Sequence, residues 1–207
     1  MNQICLCIAI LLLIACSSHK QLYPVVGSIE KLDPSLDNIL SVTAKAEIIA
    51  DGFDWSEGPL WIEEKQLLLF SDVPQNTIYQ WTETGGKKVY LSPSGYTGNI
   101  KRGGETGSNG LTINSEGRLV LCQHGNRQVA FMNAPLDQPA ANFTTIAGSY
   151  NGKRFNSPND VVYNRAGEAF FTYPPYGLEK NMDDPLKEIP FQGVYKVKKN
   201  GEVVLLV

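Results

Sequence analysis

An all-β fold, specifically a β-propeller, is expected of this chain on three grounds. No long stretch keeps a helical period. Runs of four to six apolar residues, separated by Gly, Asn and Pro, read as short antiparallel strands. One strand-rich segment also recurs at a period of about 50 residues, the mark of a propeller blade. The competing all-β architecture, a sandwich, better suits a series of strands that does not repeat.

Taken in order, residues 1–15 (MNQICLCIAILLLIA) are apolar and carry no charged side chain. The run is short for a transmembrane helix and has the size of a signal-peptide core. It ends LLIAC, then SSHKQ. Leu-Ile-Ala-Cys resembles the lipobox of bacterial lipoproteins, which implies cleavage before Cys16 and lipidation of its thiol. Ser17, rather than Asp, then points to the periplasmic face of the outer membrane, in the cell envelope. The other reading is an ordinary signal peptide with an incidental cysteine. Residues 16–46 read as a tether and lead-in segment, and 47–207 as the N-terminal half of a propeller. Cys122 is the one cysteine of that body, so no internal disulfide is available to it. The net charge of −3 and pI near 5.4 give no sign of a nucleic-acid partner. Membrane contact is expected only through the lipid.

The three repeats are EGPLWIEEKQLLLFSDVPQNTIYQW (57–81), SNGLTINSEGRLVLCQHGNRQVAFM (108–132) and PNDVVYNRAGEAFFTYPPYG (158–177). The third resumes as GVYKV at 193–197 after an insertion. Each opens on a polar residue and a turn former. A short strand follows, then a charged turn, then a strongly apolar strand at 67–70, 119–122 and 169–172. About three blades are present, and GEVVLLV at the end reads as an open strand edge. The expectation is therefore a part of a longer protein, or a chain that associates to complete its ring.

Glu57, Asn109 and Asn159 head the three repeats in phase. Innermost strands line a propeller channel, so these heads should converge on one axis. A carboxylate and amide oxygens around a point suit a hard divalent cation, Ca²⁺ above Mg²⁺. Zinc is disfavoured, because the body holds one histidine and one cysteine. Singly, Glu57-Gly58-Pro59 is also a strand-initiating turn, and Asn159-Asp160 an Asx turn after Pro158.

With EGPLW, FSDVPQNTIYQW, TGSNGLTINSEGRLVLCQHGNRQV, NGKRFNSPNDVVYNRAGEAFFTYPPYGLEK and FQGVYKV, residues 47–207 resemble the gluconolactonase/regucalcin (senescence marker protein) family of six-bladed propellers. The resemblance implies one divalent cation, commonly calcium, on the channel axis, and lactone hydrolysis. It implies that Glu57 and Asn159 are metal ligands. Two further family ligands, an asparagine and an aspartate, would lie beyond Val207. Tyr173 stands where the family usually has Asp before PPYGL.

In such a reaction the cation polarises the lactone carbonyl and stabilises the oxyanion. His124 is the candidate catalytic base or substrate contact at the mouth, and otherwise a loop histidine. Asn109 and Arg154 are the candidate substrate contacts, Arg154 for a sugar-acid carboxylate. Cys122 and His124 as a nucleophile pair are disfavoured, since i and i+2 on a strand sit about 7 Å apart. GGETGSNG (103–110) reads as a flexible approach to the second blade. The small-molecule partner is a lactone or sugar acid. The alternative function is a non-catalytic binding propeller that keeps a structural cation.

Overall fold

A computed structural model of the protein describes residues 23–207, and the leader and Cys16 lie outside the described residues. The chain divides into two units, Met1–Ile49 and Ala50–Val207. The described part of the first holds a 3-10 turn at Pro34–Asn38, capped by Asp33, whose carboxylate accepts from the Ser35 N–H at 2.8 Å. A single antiparallel bridge joins Val25 to Glu47.

The second unit is built of three four-stranded antiparallel sheets. Blade one orders β1 (Ser56–Ile62), β2 (Leu67–Asp72), β3 (Thr77–Thr82) and β4 (Gly86–Leu91). Blade two orders β5 (Ser108–Ile113), β6 (Leu119–Gln123), β7 (Gln128–Met132) and β8 (Phe143–Ala147). A small hairpin follows, β9 (Ser149–Tyr150) with β10 (Lys153–Arg154). Blade three orders β11 (Val161–Tyr163), β12 (Ala169–Tyr173), β13 (Gly193–Val197) and β14 (Val203–Leu205). Four strands per blade in a meander is the propeller pattern expected from the repeat.

The second strand of a blade has both faces covered, so it can be apolar throughout. In β6 every residue is buried. Alternation sends Leu119 and Leu121 into a cluster with Leu69, Ile78 and Leu111 of the first two blades. It sends Val120 and Cys122 the other way, into a cluster with Val161, Phe171 and Tyr195 of blade three. Two cores thus lie between three blades. The second contains an aromatic cage, in which Phe155 stands 5.0–5.1 Å, centroid to centroid, from Phe171, Tyr173 and Tyr195.

Each of the first two inner strands breaks register just after its head, between Glu57 and Leu60 and between Ser108 and Leu111. A bulge re-aims the residues beside it. The head of blade three lies just before β11. There Asn159 N–H donates to Thr172 O at 2.9 Å, and Thr172 N–H to Asp160 O at 3.0 Å.

Candidate functional site at the heads of the inner strands

Register corrects the expected phase of the heads by one residue. Glu57 pairs with Ser71 as Ser108 pairs with Gln123, so Glu57 is equivalent to Ser108, while Asn109 and Asn159 share the next position, that of Gly58. The backbone there is interlocked. A Cβ on Gly58 would collide with the Asn109 carbonyl oxygen. The Gly110 N–H donates to Asn159 O at 2.7 Å, and a Cβ on Gly110 would stand 2.7 Å from that oxygen. Each glycine thus lets the next blade's head strand seat against it. Ser71 Oγ donates to Asn109 O at 2.8 Å and lies 2.8 Å from Ser108 Oγ, which fixes the second head from below.

Glu57 is half-buried, with one carboxylate oxygen accepting from Trp55 Nε1 at 3.0 Å. Asn109 is 5% exposed and Asn159 is half-buried. Among the described residues, neither asparagine side chain makes a hydrogen bond. Asp160 is turned differently: its Oδ1 accepts from Val161 N–H at 2.9 Å. The three heads therefore present one carboxylate and two uncommitted amides, hard oxygen donors that suit an oxygen-seeking divalent cation. Among the described residues, no cluster of three or more His, Cys, Asp or Glu is placed to hold a metal. Any cation here would draw on these neutral amides.

His124 follows β6 on the face of Cys122, toward blade three. Its ring is completely buried, so it lies beneath the mouth and not in it as a loop histidine would. Its Cβ is 2.7 Å from where a Gly177 Cβ would be, which only glycine permits. Glu105 Oε2 is 3.1 Å from His124 Nδ1, off the hydrogen-bonding direction, and neither ring nitrogen has a well-aligned partner. Glu105 is the solvent-facing member of this pair. Burial, with Asp160 nearby, pushes the Cys122 thiol well above its usual pKa. It remains a protonated, packed side chain and no nucleophile.

Arg154 is exposed on β10. Its Nη2 donates to Asn126 O at 3.2 Å, and its backbone N–H to Glu188 Oε2 at 2.8 Å. The glycine-rich approach is not loose where it enters blade two. Gly107 N–H donates to Val73 O at 2.8 Å, Ser108 N–H donates to Ser94 Oγ at 3.0 Å, and Gly107 through Gly110 are buried. Small residues there serve close approach, not mobility. Tyr173 is buried in the aromatic cage, with its hydroxyl accepting from Asn156 N–H at 2.9 Å. It ties down the segment that carries Asn159.

Sequence reasoning passed over Glu105, Arg102 and Arg127, which the loops bring to the same end of the blades. A signal for the hairpin existed: Asn151-Gly152, both at positive φ, is the pair that two-residue hairpins favour. No such sequence signal marked Arg127. It takes a left-handed turn position, φ 61°, where blade one has Asn76 at φ 53°.

Successive four-stranded antiparallel sheets, each opening on a polar inner-strand start, are the blades of a β-propeller. Residues 55–207 match the SMP-30/Gluconolactonase/LRE-like region, and the chain belongs to that family. It is 37% identical over 183 residues to a gluconolactonase of Zymomonas mobilis, covering 87% of this chain and 50% of that protein. Its fold matches an X-ray structure of a candidate gluconolactonase with TM-score 0.71 and 28% identity, over 86% of this chain and 57% of the other. A Xanthomonas campestris gluconolactonase matches with TM-score 0.61 and 29% identity, over 77% and 49%. The chain thus spans about half the length of these relatives.

Proposed function

We propose that the protein hydrolyses a lactone of sugar-derived type, using a divalent cation, Ca²⁺ in preference to others, at the heads of the inner strands. The observation that carries this is the seating of the inner-strand starts against one another, Gly58 against the Asn109 carbonyl and Gly110 against that of Asn159, with both asparagine amides uncommitted. A 37% identical gluconolactonase supports the reaction class. When bound, the cation would supply Lewis-acid polarisation of the lactone carbonyl. Glu57 and Asn159 would hold it, and Asn109 would orient a substrate oxygen through its amide. Glu105 Oε2 stands 3.1 Å from the buried His124 ring, and this pair would supply the base for the reaction.

The test is lactone turnover by the full-length protein before and after EDTA. Activity lost on chelation and restored by calcium is expected. Turnover untouched by thorough chelation would rule out the metal role, and a folded, calcium-binding protein with no turnover of any sugar lactone would favour the binding-module reading.

We also propose that Cys16 carries lipid and holds the protein at the cell envelope, on the periplasmic face of the outer membrane. The LLIAC motif behind an apolar run supports this. Cys16→Ser should move the protein from the membrane fraction to the soluble one; unchanged fractionation would remove the anchor.

A further inference from the structure

At the same end of the blades, three loops enclose a recess of about 550 Å³, within the range of small-molecule sites. Arg102, Arg127 and Arg154 line it. Arg102 donates from Nη1 to Gly125 O at 2.8 Å and from Nη2 to Gly177 O, which pins its plane. Arg154 is pinned by Asn126 O. Among the described residues, neither forms an ion pair, and Arg102 Nε and Arg154 Nε and Nη1 have no acceptor. The Lys180 and Leu186 N–H groups hold the Asp184 carboxyl below its usual pKa, and the Arg102 charge is close enough to help.

Arg127 forms the recess's buried wall. Its Nε donates to Phe155 O at 2.6 Å, and its Nη2 to Leu186 O at 3.0 Å and Glu188 Oε1 at 3.3 Å. Burial and the neighbouring Arg154 lower its pKa, against the pull of Glu188. A left-handed backbone is less natural for arginine than for asparagine, so placing Arg127 there carries a conformational cost.

The acids nearby are mostly spoken for. Asp184 accepts from the Lys180 and Leu186 N–H groups, at 3.0 and 2.9 Å, and Glu188 serves Arg127 and the Arg154 backbone. Glu179 lines the recess with no hydrogen bond among the described residues. Tyr96, its ring 5.5 Å from the Arg102 guanidinium, has a hydroxyl that is likewise uncommitted.

We infer that this recess binds the open-chain polyhydroxylated acid that lactone hydrolysis releases. The carboxylate would sit on the free guanidinium edges of Arg102 and Arg154, and hydroxyls would meet Glu179 and Tyr96. Oriented guanidinium groups with unused N–H donors match a carboxylate, and uncommitted acceptors match hydroxyls. The choice of a hydroxylated acid rests on the lactonase reading, but binding is measured without turnover.

The experiment is calorimetric titration of the full-length protein with D-gluconate, with the neutral alditol glucitol, and with inorganic phosphate. Gluconate should bind, glucitol should not, and phosphate should bind more weakly. Arg102→Gln should weaken gluconate binding about 10-fold or more, as expected for a lost charge-assisted pair. Arg102 also ties two loops together, so Arg154→Gln, at an exposed site, is the second variant and should weaken binding in the same direction. Equal binding of gluconate and phosphate would reduce the recess to a general anion site and overturn the inference. Unchanged affinity in a folded Arg154→Gln protein would do the same. Gluconate binding that depends on both arginines, in a protein without lactone turnover, would support the recess while removing the lactonase reading. Turnover without gluconate binding would remove the recess alone.

Discussion

Two hydrogen atoms stand where Cβ atoms would otherwise be, at Gly58 and Gly110, and the spacing of the strand heads depends on them. At Gly110 a Cβ would lie 2.6 Å from Asp160 Oδ1 and 2.7 Å from both Asn159 O and Asp160 Cα. Two of these three are backbone atoms and cannot swing aside. Gly110→Ala should therefore push the head of blade three away from blade two, at a cost of about 1–3 kcal/mol, the usual size of an overpacking penalty. It should also weaken calcium binding, because Asn109 and Asn159 would no longer be presented together. Chemical denaturation and calcium titration of the same variant check both effects. Calcium affinity equal to the unsubstituted protein's would mean that the strand heads are not where the cation sits. The polar starts of the inner strands were readable from the repeat, but their phase was not: Glu57 falls in register with Ser108, one residue ahead of Asn109 and Asn159. The glycines beside them were not readable either, since Gly58 also fits a strand-initiating turn and Gly110 a flexible approach. Only the neighbouring blade shows what a side chain would strike. The burial of His124 was hidden for the same reason: Gly177, which makes room for it, is 53 positions later in the chain.

Strands differ in how plainly they announce themselves. β2, β6 and β12 are the apolar runs read from the sequence, because a blade's second strand is covered on both faces. β6 carries one set of side chains into each of two cores, Leu121 to one and Cys122 to the other. Leu121→Ala, at a position with no exposure, should cost about 2–5 kcal/mol by cavity formation. Urea unfolding measures it, and a loss below about 1 kcal/mol would place β6 outside a close-packed core. Outer strands are quieter. β4 is GKKVYL, with Lys87, Lys88 and Val89 exposed, and β8 is FTTIA, with Thr144 and Thr145 exposed. An edge strand needs few apolar residues and gains from charge, so its composition resembles a loop's. The hairpin β9–β10 is shorter still and holds its register through Asn151-Gly152, yet it sets where Arg154 stands.

Across the whole molecule, the proposed site draws one residue from each of three blades, so a cation bound there would tie sequence-distant sheets together. A ligand that binds only the folded state adds stability through mass action, about 2.7 kcal/mol at a concentration 100 times its dissociation constant. Saturating calcium should therefore raise the melting temperature of the full-length protein. Glu57 is the sole carboxylate among the three heads, and Glu57→Gln preserves its shape while removing the charge. With only neutral oxygens left on these heads, that variant should lose most of the calcium-dependent shift and keep a near-normal melting temperature in EDTA. Asp160→Asn is the control, because Asp160 spends an oxygen on the Val161 N–H and stands outside the trio. It should keep the shift. Differential scanning calorimetry of the three proteins, each with calcium and with EDTA, separates the cases. If Asp160→Asn loses the shift while Glu57→Gln retains it, the inward face of the head strands is the one carrying Asp160. The cation would then sit against blade three instead of between all three heads.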